Sequence, residues 1–344
     1  MTKTALYSAH KALGAKIVDF HGWEMPLQYT GILEEHKAVR EAVGVFDVSH
    51  MGRIEISGPE AEQFIDRLTT NVITGKKEQQ AIYSVLCRKD GTSIDDVIVL
   101  RHSPVSCSVV SNASNRERVF QHISSLAKKV IVTPSYMQEG ILAVQGPQSL
   151  SIVEEYFPEL KDIPSMRCLK LKQGILSRTG YTGEKGIELF ASFEEIERFW
   201  KWLMSKGVKP VGLGARDTLR LEKGYALYGH ELSDTIAPTE SVSAWAVKLQ
   251  KETFLGKEAL IELEKKKRHQ YGVVLEDPGI ARAECKVFKG EEPIGVVTSG
   301  TFSPSLKKSI CIVMVTPELA VGDIINIHIR DKPCRAHIVQ LPFL

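Results

Sequence analysis

The stretch QYGVVLEDPGIARAECKVFKGEEPIGVVTSGTFSPSLKKSICIVMV, residues 270–315, reads as short segments in which apolar and polar residues alternate. A period of two puts every second side chain on one face of a strand. The segments are 270–275, 285–288, 293–299 and 309–315, and two more follow at 323–330 and 334–341. Turn signals such as Lys289-Gly290 and Asp331-Lys332-Pro333 fall between them. This spacing predicts a small antiparallel barrel or sandwich. Just upstream, Glu264-Lys265-Lys266-Lys267-Arg268 ends a helix begun near Gly256 and reads as a solvated last turn whose basic residues suit the helix dipole. The change of style places a boundary near residue 265, with a softer one inside the first 240 residues.

Upstream of that boundary, helix and strand signals mix. Residues 31–43 suit a short helix closed by Gly44, and Arg53 to Ser57 alternate as a half-buried strand with Ile54 and Ile56 on one face. Gly58-Pro59 opens a helix carrying Ala61, Phe64, Ile65 and Leu68 at helical spacing. Segments 94–101 and 107–112 read as a strand pair joined by about five residues. Gly146-Pro147 marks another helix start. Ser192 with Glu195 fits a capping box before the stripe Ile196, Phe199, Trp200 and Leu203, and Gly207 ends that helix. A further helix runs from about Ala215 to Glu222 and stops at Gly224. No internal repeat is visible.

Composition narrows the function classes. The 344 residues are 43% hydrophobic and 25% charged, a globular balance long enough for two or three domains. With 44 basic and 42 acidic residues, no global field recruits nucleic acid, so any anionic partner must be held locally. The six cysteines are scattered without a C-x-x-C pair, which argues for buried thiols of a reducing compartment. No apolar run approaches the ~20 residues that span a bilayer, and MTKTALYSAHKALGAK lacks a signal-peptide core. The expectation is a soluble cytoplasmic protein that engages neither membrane nor nucleic acid. There is no phosphate loop, no H-E-x-x-H, no G-x-S-x-G, and Gly212-Leu213-Gly214 is not completed as a dinucleotide fingerprint. The ten dispersed histidines point to no metal site.

Four constellations can carry chemistry. Asp95 and Asp96 are adjacent on the strand IDDVIVLR, so their carboxylates point to opposite faces, one with Val97 and Val99, the other with Ile94, Ile98 and Leu100. A carboxylate turned into a buried pocket has a raised pKa and suits proton handling or cation stabilisation. Equally, both can sit in solvent at the strand's start. In SRTGYTGEKGIEL (177–189), Gly180, Gly183 and Gly186 allow a tight turn and the close approach of a ligand. There Tyr181 can stack, and Glu188 can accept two parallel hydrogen bonds from an amidine-like edge. A plain glycine-rich hairpin accounts for the same residues. Arg216 and Arg220 lie four apart on one helix face and form either an anion grip or internal pairs with Asp217 or Glu222. TSGTFSPSLKKS (298–309) reads as a polar loop between barrel strands, either a lid or an ordinary connection.

Taken together, DFHGWEMP (19–26), FDVSHMGRIEISG (46–58), IDDVIV (94–99), VSNASNRE (110–117), VQGPQ (144–148), SRTGYTGEKGIE (177–188), GLGARDTLRLEKG (212–224), LYGHEL (227–232), FLGKEAL (254–260) and TSGTFSPSLKKS closely resemble one family. It is the aminomethyltransferase, or T-protein, family of the glycine cleavage system. The motifs run from end to end in the family's order. The resemblance implies an α+β, three-domain folate-binding fold: residues 1–50 with 140–264 as a split α+β domain, 51–139 as a second, and 265–344 as a C-terminal antiparallel β-barrel or jelly roll. It implies transfer of an aminomethyl group from the lipoyl arm of H-protein to tetrahydrofolate, a co-substrate. The products are ammonia, 5,10-methylene-tetrahydrofolate and the reduced arm.

The same resemblance carries roles onto matching residues. Asp96, with Asp95 beside it, would face the reacting nitrogens of folate. Glu188 would hold the pterin edge with Tyr181 and Arg216 nearby, and Tyr83, Val110 and Asn112 would line the pocket. Some positions depart from the family. Asp90-Gly91-Thr92-Ser93 replaces the usual Gly-Gly before the acidic pair, and Lys185 replaces an acidic residue. Relatives also continue past Pro342-Phe343-Leu344 with a polar tail that can contribute a folate contact. Alternatives on the same scaffold are a demethylating oxidase-type folate module, an iron–sulfur assembly factor, or a non-catalytic folate-binding protein. The second requires a cysteine motif that SRTGYTGEKG lacks.

Overall fold

The alternating segments beyond residue 265 close into a barrel. Its strands follow the order His269–Leu275, Lys308–Val315, Glu292–Ser303, Lys286–Lys289, Ile324–Ile329, Lys332–Val339, and every pairing between them is antiparallel. Closure removes the exposed edges that a sandwich of such short strands would leave. Val273 and Leu275, then Cys311, Val313 and Val315, then Ile325 and Ile327, then Ala336 and Ile338 are buried together inside, each set at a spacing of two. The computed structural model describes residues 1–330 and 332–344. The turn signal at Asp331 therefore falls outside the described residues, and Lys332 and Pro333 already belong to the last strand.

Two expectations for this region need correction. The segment 298–309 is not a free loop: one strand continues through Ser303 and its partner begins at Lys308, leaving only a tight turn. Nor is the charge run wholly solvated. Arg268 lays both sides of its guanidinium on Glu240, with Nε to Oε1 and Nη2 to Oε2 at 2.8 Å each.

The chain divides into two compact units, Met1–Ser84 with Asp95–Arg216, and Val85–Ile94 with Asp217–Leu344. The first unit is built on a six-stranded sheet ordered Cys168–Lys170, Gly174–Ser177, Gly186–Ser192, Glu139–Gln145, Gly44–Asp47, Lys209–Pro210. All neighbours are antiparallel except the short last strand, which pairs parallel with Gly44 and Val45. The helix Phe193–Ser205 covers it with the expected stripe, since Ile196, Phe199, Trp200 and Leu203 are all buried against Leu142, Val144 and Leu189. Only half of the capping box forms. Ser192 accepts from the Glu195 backbone N–H at 3.3 Å, while the Glu195 carboxylate accepts from Tyr156 and Arg198.

A second sheet orders Gln80–Cys87, Ser93–Ser103, Ser106–Ser111, Gly52–Ser57, Ile131–Pro134. Its central hairpin turns through Pro104 and Val105 alone, tighter than the five residues expected, because both strands extend further than their apolar cores. The sequence reading assigns no element before residue 31. There the chain makes a small sheet from Thr2–Lys3, Trp23–Gln28 and Lys16–Phe20, the first two parallel. Among the described residues no helix is long and apolar enough to cross a membrane, and no group of three or more His, Cys, Asp or Glu is placed to hold a metal ion. All six cysteines are free thiols.

Candidate functional site

The strand Ser93–Ser103 alternates as its sequence implies, with Asp95, Val97 and Val99 buried and Asp96 and Ile98 half-buried. The two acids therefore have different fates. Asp95 is fully enclosed and accepts three hydrogen bonds: from the Asn112 backbone N–H to Oδ2 (2.9 Å), from Asn112 Nδ2 to Oδ1 (2.9 Å) and from Asn115 Nδ2 to Oδ1 (2.7 Å). Arg118 Nη2 donates to Asn115 Oδ1 at 2.9 Å, which turns that amide's N–H toward Asp95. Burial, then the neighbouring Asp96 charge, pushes the Asp95 carboxyl well above the usual carboxylate range, against the lowering pull of those donors. Asp96 accepts from the Tyr83 hydroxyl on Oδ2 (3.0 Å) and from Asn112 Nδ2 on Oδ1 (2.8 Å). Tyr83, Asp95, Asp96 and Asn112 thus form one hydrogen-bonded cluster. Val110, two residues before Asn112, is buried in register with Ile98.

The glycine-rich segment delivers a second cluster. Glu188, on the strand Gly186–Ser192, is nearly buried and accepts from Thr179 Oγ1 at 2.5 Å. Arg216, on the helix Leu213–Glu222, stacks its guanidinium over the Tyr181 ring, 4.8 Å from the centroid. Its Nη2 reaches Met51 Sδ at 3.9 Å, and its buried Nη1 has no hydrogen-bond partner. Burial lowers the Arg216 pKa, with Glu188 and Tyr181 opposing the shift.

The close approach permitted by Gly180 and Gly186 is that of Gln145 and not of a ligand. A Cβ at either glycine would overlap the Gln145 side chain. Gln145 Nε2 donates to the carbonyls of Thr179 (3.2 Å) and Ile187 (3.3 Å), and its Oε1 accepts from Thr182 Oγ1 (2.9 Å). The glycines are the means by which one buried amide holds the whole segment in shape.

The two arginines of the Leu213–Glu222 helix also separate. Arg220 is almost fully buried and saturated, donating to Asp217, Glu231, the Tyr225 carbonyl and Ser299 at 2.8–3.0 Å. It is a structural ion-pair centre, so the two residues do not act as one grip. Glu222 accepts from Ser303 and Ser305, which ties the turn of 298–309 down and rules out a lid.

Sequence reasoning missed a neighbouring group of cations and rings. His50 is 4% exposed, packs edge-on against Phe20 with centroids 5.5 Å apart, and has a buried Nδ1 with no hydrogen-bond partner. Desolvation, helped by the Arg216, His21 and Arg116 charges and opposed by Asp47, brings its pKa down to about 3. Arg116 lies 4.7 Å from both the Trp23 and the Tyr136 ring centroids. The available signal was the pair of motifs DFHGWEMP and FDVSHMG, which contain Phe20, His21, Trp23, His50 and Met51. An unpaired buried polar atom costs roughly 1–3 kcal/mol, and His50 Nδ1 and Arg216 Nη1 are two such atoms.

This arrangement sits on a recognised scaffold. Residues 6–251 match the GCVT N-terminal domain, and residues 268–344 match the Glycine cleavage T-protein C-terminal barrel domain. The chain belongs to the glycine cleavage T-protein family. It is similar to proteins named aminomethyltransferase from Pseudothermotoga lettingae (41% identical) and Desulforamulus reducens (42% identical), each match covering all of this chain and 98% of the relative. The crystal structure of the glycine cleavage system aminomethyltransferase T from Bartonella henselae aligns with a TM-score of 0.95 at 30% identity, over all of this chain and 98% of that one.

Proposed function

We propose that this chain is an aminomethyltransferase of the glycine cleavage system, moving the aminomethyl carbon of lipoylated H-protein to tetrahydrofolate. Ammonia leaves and 5,10-methylene-tetrahydrofolate forms. The observation that carries the reading is the acidic pair: one carboxylate locked by three amide donors, and the next, half-buried, held between Tyr83 and Asn112. Full-length likeness to proteins of that name supports it. The same likeness does not favour the alternative of an oxidase-type or non-catalytic folate-binding paralogue.

The carbon to be moved lies between sulfur and an ammonium group, so departure of ammonia leaves an electron-poor methylene. A fixed, partly desolvated carboxylate stabilises positive character there better than water does, because its orientation is settled before the reaction begins. Asp96 fills that role, Asp95 and Asn112 hold its direction, and Tyr83 fixes one of its oxygens. Glu188 accepts from the amino-pyrimidinone edge of the pterin, and the Arg216 guanidinium, stacked on Tyr181, donates to its carbonyl. The unpartnered Arg216 Nη1 suits such a co-substrate. Val110 contributes apolar lining.

The reading keeps the three-domain division at 1–50 with 140–264, 51–139 and 265–344, supported by the separate sheets and the barrel. It keeps the protein in the cytoplasm, where six free thiols persist. The test mixes the purified chain with tetrahydrofolate and aminomethylated H-protein and follows ammonia. Release that requires all three components is expected, and no release above background overturns the function.

A further inference from the structure

We propose that Asn115 and Arg118 are positioning residues for the acidic pair: Arg118 fixes the Asn115 amide, and the amide fixes Asp95, on which Asn112 and then Asp96 depend. The inference rests on the role given to Asp96 above and extends it to two residues behind the pair. Asn112, Asn115 and Arg118 follow one another at intervals of three. A single 3-10 turn, Ala113–Asn115, closes with the Asn115 N–H on the Asn112 carbonyl at 3.1 Å, and the helix Arg116–Leu126 continues from it. Residues three apart eclipse on such a turn and are neighbours along a helix, so the three side chains form one row.

Chemistry gives the row a direction. A guanidinium has donors only and an ionised carboxylate acceptors only, while an amide has one end of each kind. Arg118 Nη2 donates to Asn115 Oδ1 at 2.9 Å, so Nδ2 is the end left for Asp95, whose Oδ1 it reaches at 2.7 Å. A reversed Asn115 would turn its oxygen to the carboxylate and its NH2 group to the guanidinium, two repulsive contacts at once. Asp95 in turn accepts both bonds that set Asn112, the backbone N–H on Oδ2 and Nδ2 on Oδ1, at 2.9 Å each. The same Asn112 Nδ2 donates to Asp96 Oδ1 at 2.8 Å. Two carboxylates that repel each other are thus tied to one amide, and the donor from Asn115 holds Asp95 against that repulsion. Asp95 is fully enclosed, so bulk water does not replace a donor that turns away. A shift passed along the row reaches Asp96, and a misplacement of about 1 Å at a reacting group can cost on the order of 100-fold in rate.

The experiment follows ammonia release from aminomethylated H-protein and tetrahydrofolate by the unmodified chain, Arg118→Met, Arg118→Lys, Asn115→Ala, Asn115→Asp and the double variant of Asn115→Ala with Arg118→Met. The Tm of each shows which variants are folded at the assay temperature. Arg118→Met should lower kcat by about tenfold and change KM for tetrahydrofolate by less than about threefold, because the displaced carboxylate acts in the transition state. Arg118→Lys keeps a donor for Asn115 Oδ1 and should recover most of the turnover. In the Asn115→Ala background Arg118→Met should cause no further loss, since the two residues act through one bond. Asn115→Asp keeps the bond from Arg118 but removes the donor to Asp95, so its turnover should fall too, and it carries the test if Arg118→Met does not fold. Unchanged kcat in Arg118→Met or in Asn115→Asp overturns the proposal. So does a loss that lysine does not restore, or one that adds in full to the loss in Asn115→Ala. In all these outcomes the unmodified chain still releases ammonia, and the function stands. No release by the unmodified chain overturns the function and this proposal together.

Discussion

Arg216 and Arg220 stand one helical turn apart on the same helix, and their surroundings are opposites. Arg220 donates to two carboxylates, a carbonyl and a hydroxyl. Arg216 has an aromatic ring, a thioether sulfur and one buried nitrogen without a partner. Burial of a charge is tolerated when its bonding is complete, so saturation marks a residue that serves the fold. Incomplete bonding at buried Arg216 leaves a donor for a group that arrives later, as the proposed function requires. A contrast of burial separates Asp95, enclosed and accepting from three donors, from half-buried Asp96 beside it.

The largest effect should come from breaking the saturated side. Arg220→Met leaves Glu231 buried without its cation and should cost about 3–5 kcal/mol of stability, read from urea unfolding. Arg216→Met should cost less than about 1 kcal/mol while weakening tetrahydrofolate binding strongly, because the cost of its unpaired nitrogen disappears with it. Equal destabilisation by the two changes would erase the distinction between them.

Next in size is the acidic pair. Asp96→Asn should lower turnover by about 100-fold or more with the fold retained, as expected when a preoriented charge is lost from a transition state. The circular dichroism spectrum should match that of the unmodified chain. Unchanged turnover would remove Asp96 from the mechanism and return the pair to a structural role.

Of the fold, the parts written in local periodicity were legible. The barrel strands, the Ile196–Leu203 stripe and the Ser93–Ser111 hairpin all follow from spacing within a few residues. The small sheet of the first thirty residues was not, because Thr2–Lys3 is too short for a pattern and pairs with Trp23 and Glu24 across a distance in sequence. At the site, alternation separated Asp95 from Asp96, yet which one is buried depends on Asn112 and Asn115 from beyond the neighbouring strand. Arg216 and Arg220 look alike in sequence because the partners that distinguish them, Glu231 and Ser299, lie well downstream. The motif FDVSHMG contains His50, yet the unpaired nitrogen that sets it apart is visible only once its neighbours are in place.

A smaller effect tests whether the glycine-rich segment belongs to the fold's saturated side. Gly180→Ala should cost about 1–3 kcal/mol, as overpacking does, because the added methyl meets Gln145. Combined with Gln145→Ala, its effect should be less than additive, since the two changes share one contact. Additive costs in thermal unfolding would return the glycines to a role in ligand approach.

The smallest expected effect concerns the charge coupling inside the acidic pair. Burial and then Asp96 raise the Asp95 pKa in the folded chain above its unfolded value. A raised folded pKa means that the fold binds this proton more tightly than the unfolded chain does. The resulting stability is therefore full below the unfolded carboxylate range, near pH 4, and is lost as pH rises through the folded value. The transition belongs to the pair and not to one acid. Asp96→Asn removes the second cause and leaves the first, so the folded value falls and less stability is lost on going upward in pH. Between pH 5 and pH 8 the Tm of Asp96→Asn should then change less than that of the unmodified protein, by on the order of 1–2 °C. Titrations elsewhere in the chain are common to both proteins and cancel in this difference. Identical changes would mean that the two carboxylates do not feel each other, and the separation of an anchoring acid from a working one would lose its electrostatic basis.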